Sequence, residues 1–123
     1  MYKYFFLLLF PVLVLSQENK SVYEVLSYDD FKNQTSNNKT LLFDIRTMEE
    51  FNSGHLKGSV NIDFHEEELF DKFFNKVDKS KPIYIYCRSG NRSKKSSEKL
   101  KKLGFVKIYD LEGGYKNWIK KSN

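Results

Sequence analysis

The chain has 123 residues, 40% hydrophobic and 16% aromatic, enough for one packed domain and too apolar for wholesale disorder. One cysteine, six glycines and two prolines exclude a disulfide scaffold, a multi-cysteine zinc site within one chain and collagen-like repeats. A formal charge of +5 suits small anions, but with the aromatic residues on core stripes it does not describe a nucleic-acid binder.

Residues 1–16 read MYKYFFLLLFPVLVLS, with Lys3 as the one charge and an unbroken apolar run from Phe5 to Leu15. A bilayer-spanning helix needs roughly 20 apolar residues, so this run is too short to span and fits the core of a signal peptide. Val14 and Ser16 are small enough to precede a cleavage before Gln17, where the sequence turns abruptly polar. The segment therefore predicts export, giving a periplasmic or secreted bacterial domain over residues 17–123. That domain would have no stable membrane association once the signal is removed. A buried N-terminal helix and a retained anchor are the alternatives.

Beyond it, apolar runs alternate with helical patterns, as in a βαβ protein. Val22–Leu26 reads as a short strand. Ser27 then caps a helix, with Asp30 three residues on. Thr40–Ile45 (TLLFDI) is a continuous apolar run of the kind found in buried parallel strands. Thr47-Met48-Glu49-Glu50 is a capping box opening a short helix that stops at Gly54, and Val60–Ile62 is a brief strand. Over Glu66–Val77 the residues Leu69, Phe70, Phe73, Phe74 and Val77 form one apolar helical face. Pro82–Cys87 (PIYIYC) is the second clear strand, followed by the turn-compatible residues Arg88 to Asn91. From Ser93 a helix carries Ser96, Ser97, Leu100 and Leu103 on one side, and Gly104 ends it so that Phe105 packs back. Val106–Leu111 is a further strand, Gly113-Gly114 a turn, and Tyr115–Lys120 a last helix with Trp118 facing inward.

The chemistry concentrates at Cys87. It stands at the carboxyl end of an apolar strand and just before a helix, where open α/β sheets bind ligands. A helix N-terminus presents free N–H groups and the positive end of the dipole, and Arg88 and Arg92 are close in sequence. All of these favour the anionic sulfur, and a thiolate is the nucleophilic form of cysteine. Gly90 supplies a positive φ, which lets the loop bend its amides inward as an anion-holding nest. The sequence thus predicts a solvent-reachable thiolate ringed by N–H groups. The alternative is an inert buried thiol, since cysteine is among the most buried residue types.

The stretch Cys87-Arg88-Ser89-Gly90-Asn91-Arg92-Ser93 resembles the active-site loop of rhodanese-like sulfurtransferases. Two further stretches agree: Asp44-Ile45-Arg46-Thr47-Met48-Glu49-Glu50-Phe51 through Gly54-His55-Leu56-Lys57-Gly58 to Ile62, and Leu111-Glu112-Gly113-Gly114-Tyr115 with Trp118. Three ordered motifs are far more specific than one. They span roughly 22–120, and the family usually has proline where Lys57 stands. The resemblance implies a single rhodanese-like α/β domain, a central mostly parallel sheet flanked by helices on both faces.

It also implies a two-step transfer. Cys87 takes the outer sulfur of an anionic donor such as thiosulfate, then passes it to a thiophilic acceptor, cyanide or a thiol. No metal or organic cofactor is implied, and the expected form is a monomer. Cys87 and Arg92 would be the catalytic residues. Arg88, Ser89, Gly90, Asn91, Ser93, Asp44 and Arg46 would bind substrate, with Asp44 and Arg46 alternatively a structural salt bridge. The related cell-division-cycle phosphatases place five residues between cysteine and arginine, against four here, so the smaller loop suits one sulfur atom better than a phosphate group. A persulfide carrier without efficient turnover, and a thiolate-based phosphatase or arsenate reductase, are the other readings.

The remaining features are weaker. Lys94, Lys95, Lys99, Lys101 and Lys102 crowd the helix after the loop and read as a solvated face or as a field that gathers anions. His55 and His65 lack metal-ligand spacing, and His55 is expected to be structural. The sequons at Asn33, Asn38 and Asn91 are read as coincidental in an asparagine-rich chain.

Overall fold

The computed structural model describes residues 21–123, with Lys3 and Pro11 as isolated positions ahead of them. The expected signal peptide, residues 1–16, otherwise lies outside the described residues. No helix among the described residues is long and apolar enough to cross a membrane.

Five strands and five helices alternate along the chain. They are β1 (Val22–Leu26), α1 (Tyr28–Thr35), β2 (Leu41–Asp44), α2 (Met48–Ser53), β3 (Val60–Asn61), α3 (Glu67–Asn75), β4 (Ile83–Tyr86), α4 (Asn91–Leu103), β5 (Lys107–Leu111) and α5 (Gly114–Ser122). Every strand pairing is parallel, in the order β1-β5-β4-β2-β3. From β2 the chain moves outward to β3, and from β4 it moves the opposite way to β5. The carboxyl ends of β2 and β4 therefore flank the point where the winding reverses, and a crevice opens at such a point.

Strand alternation divides the core in two. Phe43, Ile83, Ile85, Cys87 and Ile108 face Phe70 and Phe74 of α3 and Leu100 of α4. On the other side Leu42, Tyr86 and Leu111 meet Phe31 of α1, Leu56 and the half-buried Trp118 of α5. The indole stands edge-on to Tyr28 at 4.8 Å and to Phe31 at 6.5 Å. A fully buried phenylalanine contributes about 2–3 kcal/mol by area alone, so the Phe70–Phe74–Phe105 group anchors the first layer.

The local signals act as their chemistry requires. Thr47 and Glu50 form a complete capping box, whereas Ser27 accepts from the Asp30 amide with no reciprocal bond, because the shorter aspartate does not reach back. Gly104 ends α4 in the left-handed region, and the Phe105 amide donates to Leu100 O at 3.2 Å, which turns the Phe105 ring into the core.

Several expectations need correction. β2 and β4 are shorter than their apolar runs, and Cys87 stands just past β4 rather than in it. Helix α4 starts at Asn91, not Ser93, since Gly90 already serves as its N-cap. Leu69 is not on the core face of α3: it is 63% exposed, one helical position beyond the stripe of Phe70 and Phe74.

Candidate active site

Backbone conformation places the loop around the sulfur. Gly90 has φ +104°, which a side chain would strain, and this bend turns the following amides back toward β4. Cys87 Sγ accepts from the Gly90 amide at 3.1 Å and the Ser93 amide at 3.4 Å. Ser93 Oγ lies 3.4 Å from the same sulfur and donates to Gly90 O at 3.1 Å. The N-terminus of α4 thus closes over the thiol, and Ser93, fully buried, stands in its first turn.

The floor of the loop is fixed from behind. The Tyr115 amide donates to Cys87 O at 2.8 Å, and the Lys116 amide to Arg88 O at 3.0 Å. The first turn of α5 therefore holds the two peptide carbonyls that lead into the loop. Gly114 makes this approach possible: a Cβ there would lie 2.5 Å from the Arg88 carbonyl carbon and oxygen.

Cys87 is only 1% exposed, which overturns the expectation of a sulfur open to solvent. The cause is strand alternation. Cys87 continues the inward face of Ile83 and Ile85, so its side chain enters the layer packed by α3 and α4. The inward-pointing amides are present as expected, and Arg88, Ser89 and Asn91 are exposed around them.

The arginines divide by partner. Arg92 does not point freely into the loop: its Nη1 and Nη2 bind Glu50 Oε1 and Oε2 at 2.6 and 2.8 Å. This ion pair holds the Glu50 carboxyl down at about 2, against the opposing effect of its burial and with help from Thr47. Arg46 is also committed, donating to both Asp44 oxygens and to Gly54 O while stacking 4.3 Å over the Tyr115 ring. Asp44 accepts in addition from Tyr86 Oη at 2.7 Å and from the Arg46 amide. Its acceptor positions are occupied, so the buried Asp44–Arg46 pair braces the ends of β2 and β4. Among the described residues Arg88 and Lys116 make no ion pair, and both are exposed.

A cleft of about 430 Å³ opens beside the loop between α2 and α5, lined by Arg46, Glu50, Arg88, Tyr115, Lys116 and Ile119. A larger cavity, about 510 Å³, lies near Leu42, Leu56, Lys57 and Trp118 and includes no residue of the Cys87 loop. Under the loop, Asp110 on β5 is 2% exposed; it accepts from Tyr23 Oη at 2.5 Å, while its Oδ1 has no partner. Burial pushes the Asp110 carboxyl up to about 6, with the Tyr23 hydroxyl pulling the other way.

Sequence reasoning missed Glu50, Gly114, Tyr115, Lys116 and Asp110 as parts of this region. In the sequence Glu50 reads as a helix cap and as part of the first resembling stretch, and nothing local reveals its bond to Arg92 across 42 positions. Asp110 shares its strand face with Ile108 rather than with Lys107 next to it, a signal that a buried carboxyl needs explaining. His55 stacks on Phe51 at 3.7 Å and bonds the Phe51 carbonyl, away from the sulfur.

A five-stranded parallel sheet with a nested cysteine at its reversal point defines a class of thiol-bearing α/β domains. Residues 27–121 match the family model described as a rhodanese-like domain, and the chain belongs to that family. It is 43% identical over 89 residues to the tRNA uridine(34) hydroxylase of Pelagibacter ubique, covering 72% of this chain and 30% of that protein. It is 29% identical to the thiosulfate sulfurtransferase GlpE of Shewanella oneidensis, covering 80% of this chain and 94% of that one. The crystal structure of a rhodanese-related protein from Thermoplasma volcanium superposes with a TM-score of 0.68 at 28% identity, over 80% of this chain and 93% of that one. The chain spans 30% to 61% of the length of the first three curated relatives it matches.

Proposed function

We propose that the chain is a sulfurtransferase that carries sulfane sulfur on Cys87. The observation that carries this reading is the pair of amides, Gly90 and Ser93, aimed at Sγ from the start of α4. Such donors stabilise a sulfur anion as an oxyanion hole stabilises a developing alkoxide. Family membership and the similarity, over 80% of this chain, to a relative named thiosulfate sulfurtransferase support thiosulfate as donor.

In the first step the Cys87 thiolate attacks the outer sulfur of thiosulfate. A new sulfur–sulfur bond forms on Cys87, and the bond to the sulfite group breaks with its electron pair, releasing sulfite. In the second step cyanide or a thiolate attacks the terminal sulfur of the persulfide, and Cys87 leaves as the thiolate. The two steps consume and return one thiolate, so no metal or cofactor enters. Arg88 and Lys116, exposed and unpaired, give the approaching anion its first positive contacts. The protein acts as an exported monomer once residues 1–16 are removed.

The test is direct. Incubation of the protein with thiosulfate raises its mass by one sulfur atom, and cyanide removes the gain. Cys87→Ser abolishes it. Absence of a mass gain with thiosulfate and with other sulfane donors overturns the reading, and turnover of an aryl phosphate or arsenate in its place favours an oxyanion enzyme. Loading without appreciable cyanide turnover identifies a persulfide carrier.

A further inference from the structure

Four charged groups beside the loop cancel in two pairs: Arg46 with Asp44, and Arg92 with Glu50. The first pair is sealed in the fold, whereas the Arg92 and Glu50 side chains are 21% and 27% exposed and Glu50 lines the cleft. Among the described residues that line the cleft, Arg88 and Lys116 are therefore the uncompensated cations. From this balance we infer that Glu50 is a specificity-determining residue: it neutralises Arg92 and so limits how tightly the site holds a small dianion. The inference rests on the sulfur-transfer reading and assigns Glu50 a role beyond its helix cap.

The physical reasoning is a trade between capture and release. Donor and leaving group in the proposed reaction are both small anions. An uncompensated Arg92 beside the nest would strengthen the hold on each, and the tightly held sulfite would then block the second step. Glu50 accepts both guanidinium nitrogens in the fork geometry that a sulfur oxyanion would otherwise occupy. The same carboxylate accepts from the Thr47 amide and hydroxyl, which fixes its position at the start of α2. The counterion is thus held by the start of α2 as well as by Arg92.

Glu50→Gln removes the charge and keeps the cap, because glutamine also serves at the third position of a capping box. The expected result is a fall of about five-fold in the thiosulfate concentration that half-loads Cys87 at low ionic strength, with sulfite inhibition strengthened by a similar factor. High salt shrinks both changes. Arg92→Gln shifts the half-loading concentration upward, and the double variant Glu50→Gln/Arg92→Gln returns it close to wild type, since the charge balance is restored. Helical circular dichroism and thermal melts establish that each variant is folded.

Two results overturn the inference. Half-loading is unchanged or weakened in folded Glu50→Gln, or the double variant stays as impaired as Arg92→Gln, which would make Arg92 a direct donor contact. If Glu50→Gln fails to fold, Arg92→Gln decides the matter: half-loading unchanged from wild type in that variant overturns the inference. Failure of the sulfur-transfer reading looks different, because wild-type protein then gains no sulfur at all.

Discussion

Asp110→Asn separates the cost of a buried carboxylate from everything else in the fold. Desolvation raises the Asp110 carboxyl from 3.8 to about 6, although the Tyr23 hydroxyl favours its ionised form. A folded value above the unfolded one means that stability is fully present below 3.8 and is lost as the pH rises through about 6. A shift of roughly two units corresponds to about 3 kcal/mol, which wild type forfeits at pH 8 relative to pH 3.5 through this group. Asparagine keeps an acceptor for the Tyr23 hydroxyl and carries no charge to desolvate. That figure is already net of the bond from Tyr23 to the carboxylate, so the variant is expected to be about 3 kcal/mol more stable than wild type at pH 8. At pH 3.5 that advantage vanishes. Glu50, held at about 2, titrates below 4.5 in both proteins and cancels in the comparison. Urea unfolding of both proteins across this range measures the difference. Its signature is the slope with pH, because any misfit of the amide adds a constant offset. A difference that stays flat from pH 3.5 to 8 refutes the reasoning, since it would mean that Asp110 is not titrating in a desolvated site.

Two further outcomes follow from the loop. Gly114→Ala drives a methyl group into the Arg88 carbonyl and forces φ +64° on a side chain, so we expect a loss of about 3 kcal/mol in urea unfolding and a matching drop in sulfur loading. Because Cys87 is 1% exposed, a bulky aromatic disulfide reagent should label the native thiol at least ~10-fold more slowly than the urea-unfolded thiol, while thiosulfate still loads it. Equal labelling rates would place the sulfur on the surface and contradict the packing of the loop.

Much of this fold was legible because local chemistry and tertiary structure agree. The apolar runs ending at Asp44 and Cys87 are strands because both faces of the sheet are covered, and Thr47 with Glu50 forms a capping box whose members are three residues apart. The loop was legible for the same reason: Gly90 announces its own conformation. The illegible features depend on distance through space. No spacing rule joins Glu50 to Arg92, or Tyr115 to the Cys87 carbonyl, because the elements that carry them meet only when β2, β4 and β5 lie side by side. The expected openness of Cys87 failed on parity. One residue past an alternating strand still points inward when the strand's inward positions are 83 and 85.

The final helix works as a buckle on the loop. Its first two bonded amides grip the peptide groups of the nucleophile and its neighbour, although they lie 28 positions further along the sequence. The sulfur therefore acquires its setting only once residues Tyr115 and Lys116 have docked on the loop. Any cut that removes residues from Gly114 onward would take away both amides and the Trp118 packing of the second core layer together.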